Sequence, residues 1–159
     1  MPKINPLDIL AIKNTISRYC EALDNKDFTL LEDVFTHDVS ADYPFNSDLQ
    51  GVKAVAEAVK QRLGPVRTHH SLTTQRVVFE DSGKAAHGVT YFQGAHFGQG
   101  PHEGKLLCAY GKYVDDLVLC QGDDDSCEGV PGASGKWRIA KRKVTFTQRI
   151  GDEKIMSEH

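Results

Sequence analysis

His69 and His70, in the run Thr68-His69-His70-Ser71-Leu72, set two imidazoles side by side where a loop marked by Gly64-Pro65 gives way to extended chain. Side chains alternate across a strand, so one of the two can look into a pocket while its neighbour meets solvent. Imidazole titrates near neutral pH, which makes the inward ring a candidate general base. The first helical segment supplies a tyrosine and a carboxylate, Tyr19 and Asp24. Five positions separate them, roughly 140° around an ideal helix, so they flank a buried stripe from opposite edges and can overlook one cavity. A carboxylate hydrogen-bonded to imidazole fixes the tautomer and stabilises the imidazolium formed when the ring takes a proton. Such a pair can remove a proton α to a carbonyl while a tyrosine hydroxyl stabilises the enolate or protonates the leaving oxygen, and it calls for no metal or organic cofactor. Taken singly, each residue also has a structural use: Tyr19 as a core aromatic, Asp24 as a cap at the helix break, His70 as a donor to a backbone carbonyl.

The elements that must carry these groups follow from periodicity. Ile9, Ile12, Ile16, Tyr19, Cys20 and Leu23 recur at three- and four-residue steps and predict an amphipathic helix over 7–23. Asp24-Asn25-Lys26-Asp27 breaks it, and Asp27 is placed to cap a second, shorter helix through Leu30, Leu31, Val34 and Phe35 that ends at Thr36-His37-Asp38. A short strand is expected over 39–43, then a third helix over 51–63 stopped by Gly64-Pro65. The remainder reads as extended chain, with strands over 71–80, 85–97, 106–119 and 137–148 and a hairpin turn at Asp81-Ser82-Gly83-Lys84. The stretch 121–135, rich in Gly, Asp, Ser and Pro, exceeds an ordinary turn and is expected to be a flexible loop insertion. Helices first and long antiparallel strands after them make an α+β order, expected as a single domain over 1–159.

Composition narrows the partners. The 159 residues carry a formal charge of −3 with both signs interleaved, and the basic run Lys141-Arg142-Lys143 lies in strand-like sequence whose side chains face alternate ways. Nucleic acid is therefore not the expected partner. No segment has the length and apolarity of a membrane span, and Met1-Pro2-Lys3-Ile4-Asn5-Pro6 lacks a secretory core, so a soluble, cytoplasmic protein is expected. Cys20, Cys108, Cys120 and Cys127 have no paired zinc-site spacing and read as free thiols. Gly98-Gln99-Gly100 follows no nucleotide-fold strand, and Asp123-Asp124-Asp125 lacks the spaced ligands of a calcium loop, so neither a phosphate cradle nor a metal site is expected.

Five elements, taken in order, carry a family likeness: Arg18-Tyr19-x-x-x-x-Asp24-x-x-Asp27, Leu31-x-x-Val34-Phe35-x-x-Asp38-Val39, Thr68-His69-His70, Tyr110-Gly111-x-Tyr113-x-Asp115 and Trp137-Arg138-Ile139-x-x-Arg142. Together they resemble the SnoaL-like branch of the NTF2-like superfamily over nearly the whole chain, with stretch 121–135 departing from its compact members. The resemblance implies a cone-shaped α+β barrel, a strongly bent sheet wrapped around the first helix with a deep apolar pocket. It also implies homo-oligomers, dimers or trimers formed through the sheet, whose outer face needs cover. The superfamily holds dehydratases, epoxide hydrolases, polyketide cyclases, steroid isomerases and non-catalytic binders, so the fold alone fixes no reaction.

In the dehydratase members the resemblance makes Tyr19, Asp24 and His70 the catalytic positions. Tyr43, His96, Tyr113 and Arg142 follow as substrate-binding candidates: His96 is similar in placement to a second pocket histidine, Arg142 to an arginine sent toward the ligand from the last strand, and the two tyrosines can add hydroxyls. His96 can equally be a rim residue, Arg142 an exposed sheet residue paired with a carboxylate, and Tyr43 and Tyr113 core aromatics. His37, His87, His102 and His159 have no motif support and read as surface or structural. The expected activity is a cofactor-independent lyase or isomerase acting on a small, largely apolar carbonyl metabolite such as a polyketide, terpenoid or steroid-like compound. Two other uses of the same pocket stand beside it: epoxide opening or cyclisation with Asp24 activating water, and small-molecule binding without chemistry.

Overall fold

Helix α1 (Asp8–Asp24) forms where the apolar spacing predicts it, and buries one stripe made of Ala11, Ile12, Thr15, Ile16, Tyr19, Cys20 and Leu23. Each fully buried Ile or Leu on that stripe contributes on the order of 1.5–3 kcal/mol of transfer free energy. The Thr15 hydroxyl donates to the Trp137 carbonyl at 2.9 Å, fixing the helix against the last strand. The computed structural model describes residues 4–120 and 129–159.

The expected second helix is a short 3-10 helix, Phe28–Asp33, of two turns. Asp27 stands at its N-cap, where its backbone carbonyl accepts the Leu30 N–H at 3.3 Å, but its carboxylate accepts from the Thr29 hydroxyl at 2.6 Å and caps no backbone N–H. Phe35 and the expected terminator Thr36-His37-Asp38 belong to strand β1 (Phe35–Tyr43), longer than the segment predicted. Strand β2 (Asn46–Gln50), which the sequence reading leaves out, pairs with β1, and helix α2 (Val52–Leu63) follows. Four long strands complete the chain: β3 (Arg67–Phe79), β4 (Ala85–Phe97), β5 (Leu106–Cys120) and β6 (Lys136–Gly151).

The strands form one curved sheet in the order β2-β1-β6-β5-β4-β3. All neighbours are antiparallel except β1 and β6, which run parallel. The sheet does not close: β2 and β3 remain its free edges, so the expected barrel is an open wrap around α1. The core lies between α1, α2 and the inner face of the sheet, with Trp137, Ile139, Leu117 and Val39 fully buried. A closing 3-10 turn, Glu153–Met156, tucks Ile155 against Val66 and Leu107.

Residues 129–135 of the expected insertion are tied down, since the Ser134 amide donates to Asp8 and Val130 and Ala133 join the core. Segment 121–128, with Asp123, Asp124, Asp125 and Cys127, lies outside the described residues; Cys20 and Cys108 are buried free thiols. Among the described residues no helix is long and apolar enough to cross a membrane.

Candidate active site

Asp24 is the last residue of α1, where the helix runs out beside the start of β3. Its carboxylate accepts three hydrogen bonds from that strand: the His70 backbone N–H on Oδ2 at 2.7 Å, the His70 ring Nδ1–H on Oδ1 at 2.7 Å, and the Thr68 hydroxyl on Oδ1 at 2.9 Å. The Lys26 ammonium donates in turn to the Thr68 hydroxyl at 3.0 Å. Partial burial would raise the Asp24 carboxyl, but the His70 ring and backbone bonds and the Thr68 hydroxyl outweigh it and hold it below the ordinary carboxylate range. Because a carboxylate can only accept, Nδ1 carries a hydrogen, so in the neutral ring it is Nε2 that holds the lone pair. The side chains of His70 and Asp24 are 6% and 20% exposed, so the pair is shielded without being sealed. His69 is exposed, as alternation requires.

Strand register builds the rest of this wall. His70 pairs across the ladder with Gly94, and His96 lies two residues further along β4 on the same face, its ring 6.4 Å from that of His70. His96 is buried and donates from Nδ1 to the Leu107 carbonyl at 3.0 Å. Burial, partly opposed by that bond, pushes its pKa down to about 4, with smaller contributions from His70, Arg149 and Arg62. At neutral pH it is an uncharged ring with Nε2 an acceptor. Gly94 is a site residue that the sequence reading missed: a Cβ there would stand 3.3 Å from both Cδ2 and Nε2 of His70.

Three tyrosines face the imidazoles. The Tyr19 and Tyr43 hydroxyls share one hydrogen bond at 2.9 Å, which occupies one of their two protons. The Tyr113 ring stacks on Phe92 with centroids 4.5 Å apart and meets Tyr19 edge-on. Burial raises all three phenols above their ordinary value, so each is a donor rather than a base.

Arg142 departs from the expectation. It does not reach the cavity and is not exposed: it lies behind the tyrosines, its guanidinium carbon 4.3 Å from the Tyr19 ring centroid and 4.1 Å from that of Tyr113. Its partner is Asp115, engaged through Nε at 2.7 Å and Nη2 at 2.8 Å, with both side chains at 0% exposure. Among the described residues Arg142 Nη1 is buried without a hydrogen-bond partner, and the guanidinium charge partly opposes the burial that raises the Tyr43 phenol. The arginine braces the tyrosine wall from behind and does not present itself to a ligand.

Tyr19, Tyr43, His70, His96 and Tyr113 thus line one cavity, with Leu23, Val59, Phe92 and Val144 supplying apolar surface. Its empty space is about 520 Å³, including the part open to solvent. Arg62 and Arg149, which carry no motif, line it as well. Among the described residues no three His, Cys, Asp or Glu side chains converge as metal ligands. Of the remaining histidines, His87 pairs with Asp116 at the surface, and His102 is buried between Glu158 and Lys105.

This geometry can be set beside known proteins. No curated protein sequence matches the chain. Among solved structures it is similar to a candidate scytalone dehydratase from Novosphingobium aromaticivorans, with a TM-score of 0.76 and 20% identity over 96% of this chain and 93% of that one. The LinA-type3 hexachlorocyclohexane dehydrochlorinase of Novosphingobium barchaimii gives 0.73 and 13% over 92% and 90%. A Mycobacterium tuberculosis protein of unknown function gives 0.70 and 21% over 91% and 79%. At such identities these likenesses establish the NTF2-like fold and nothing finer. The family model of the SnoaL-like domain matches residues 6–143, and the chain belongs to that family.

Proposed function

We propose that the protein is a cofactor-independent lyase or isomerase that works by general acid/base catalysis on a small, largely apolar carbonyl metabolite, in the range of polyketides, terpenoids and steroid-like compounds. The observation that carries this reading is the 2.7 Å bond from His70 Nδ1 to an ionised, three-times hydrogen-bonded Asp24, which leaves His70 Nε2 free beside an apolar cavity lined by tyrosine hydroxyls. His70 takes the proton α to the carbonyl, and the C–H electron pair moves into the enolate. Asp24 stabilises the imidazolium so formed; general catalysis of this kind is worth about 10²–10⁴ in rate. Tyr113, whose hydroxyl has no protein partner among the described residues, or the free proton of the Tyr19–Tyr43 pair donates to the enolate oxygen. In a dehydration the β-C–O bond then breaks and the imidazolium proton leaves with the hydroxide as water. In an isomerisation the same proton returns to a different carbon.

Elimination is also the chemistry for which the dehydratase and dehydrochlorinase neighbours are named, which supports the lyase class at the level of fold. Both Asp24 oxygens already accept bonds from His70, which favours an orienting role over water activation in epoxide opening. For assembly, the exposed Tyr91, Phe97, Leu106, Tyr110 and Ile150 offer an apolar outer sheet face, and we expect a dimer or trimer through it; sedimentation as a monomer at micromolar concentration would contradict that. The test of the activity is product analysis with a panel of β-hydroxy carbonyl compounds in ¹⁸O-labelled water. Elimination without label in the product, lost in His70→Ala while the fold survives, is expected. Full activity of His70→Ala would sink the mechanism, and label incorporation would transfer the site to hydrolysis.

A further inference from the structure

The cavity has two chemically different ends. Tyr19, Tyr43, Phe92, His96 and Tyr113 are buried, whereas Phe45, Arg62, Phe146, Arg149 and Met156 keep some exposure and mark the mouth. An apolar entrance has no intrinsic need of cations, yet two of these five residues are arginines from unrelated elements, the last turn of α2 and the end of β6. Each lies near an aromatic ring, Arg62 with its guanidinium carbon 5.3 Å from the Phe45 centroid and Arg149 5.5 Å from that of Phe146. Their charges are not matched. Arg149 gives Nη2 to Glu153 at 2.8 Å, while its Nε is buried with no partner, and Arg62 has no ion pair among the described residues. One carboxylate therefore serves two guanidiniums.

A guanidinium cannot shed its proton, so a buried N–H of this kind carries its full desolvation penalty until an acceptor arrives. The two groups share one space. Burial lowers the proton affinity of Arg62, and Arg149 lowers it further; both arginines also oppose protonation of His96 deeper in the cavity.

We infer that Arg62 and Arg149 form an anion subsite at the cavity mouth, and that the ligand is an amphipathic acid whose carboxylate sits on these arginines while its apolar body reaches inward. Where the inference names a substrate it rests on the reading of His70 as the base, since the acid's reactive carbon must then lie at that imidazole. The subsite itself does not depend on chemistry.

The test uses the full chain and a matched pair of probes, 2-naphthoate and 2-naphthamide, which share a ring system and differ in charge. Isothermal titration calorimetry should show the acid binding about tenfold or more tighter than the amide, as expected for charge-assisted bonds to a desolvated arginine, with the preference shrinking as salt is added. Arg62→Met, which removes no ion pair, should bring the acid down to the affinity of the amide and leave the amide unchanged; Arg149→Met should do the same. If Arg149→Met melts early because Glu153 is stranded, Arg62→Met decides alone. Equal binding of the two probes, an acid preference that survives Arg62→Met, or no binding of the acid at millimolar concentration overturns the subsite. His70→Ala should retain the acid preference. Activity surviving in that variant, with the preference intact, removes the proposed mechanism and leaves the subsite standing.

Discussion

Substitution of Asp115 by Asn tests whether a buried ion pair braces the tyrosine wall of the cavity. Arg142 and Asp115 are both fully buried and joined by two hydrogen bonds of 2.7 and 2.8 Å, and the guanidinium lies against the rings of Tyr19 and Tyr113. An amide keeps one acceptor but presents an NH₂ where the guanidinium needs a lone pair, and it leaves a permanent charge uncompensated in the core. Breaking one side of such a pair costs about 3–5 kcal/mol. Against a total stability of roughly 5–15 kcal/mol that is a large fraction, and at about 2–4 °C per kcal/mol for a chain of this size it should lower Tm by roughly 6–20 °C. The control is the double change Asp115→Leu with Arg142→Met, which removes both charges and keeps most of the volume; it should recover most of the loss. Guanidinium denaturation followed by circular dichroism reads both variants. A stability change below about 1 kcal/mol in Asp115→Asn, or a double variant as unstable as the sum of its parts, would refute the brace.

Two further outcomes follow from the histidine wall. Gly94→Ala puts a methyl 3.3 Å from His70 Nε2, so turnover should fall about tenfold or more from misplacement of the base while stability stays within about 1 kcal/mol; unchanged turnover in a steady-state assay would show that the cavity face of His70 is not used. His96 is held near pKa 4, first by burial, against an ordinary value of about 6.5 in the unfolded chain, so between those values the unfolded state binds the extra proton and stability falls as the pH drops. The loss should approach roughly 3 kcal/mol by pH 4, and His96→Leu should flatten this part of the curve in denaturation measured from pH 4 to 7; an unaltered slope would contradict the burial argument.

How far the sequence carried these conclusions depended on whether a residue's neighbours are local. The α1 stripe from Ile12 to Leu23 and the opposite facing of His69 and His70 come from periodicity, whereas the choice of His70 as the inward ring comes from the family resemblance; the structure turns His69 outward and exposes Ile9, the first residue of the expected stripe. Strand β2 escaped notice because Asn46-Ser47-Asp48-Leu49-Gln50 is almost wholly exposed and has no apolar alternation. Leu30, Leu31 and Val34 sit at helical spacing and so suggest an α-helix where the chain forms a 3-10 helix, while the helix-like tail at Phe35 pairs with β6 instead. For Arg142 neither expectation holds, a ligand-facing guanidinium by resemblance or an outward one on a strand, because its compensating carboxylate is 27 positions away and meets it only across the β5–β6 ladder. Gly94 and the pair Arg62 and Arg149 carry no local signal: a strand glycine looks like weakness, an arginine in a last helical turn looks like an answer to the helix dipole, and only the register of β3 on β4 and the wrap of the sheet bring them to the cavity.

Solvent deuterium exchange addresses the role of His70 most directly, because proton abstraction shows itself whether or not a leaving group is present. The chain, incubated in D₂O with a panel of small apolar ketones and keto acids and followed by NMR, should wash deuterium into the α position of at least one of them, and His70→Ala, folded to the same extent, should not. Exchange at the same rate in both proteins, or none with any compound in the wild-type protein, would contradict the assignment of His70 and Asp24 as the catalytic base and its partner.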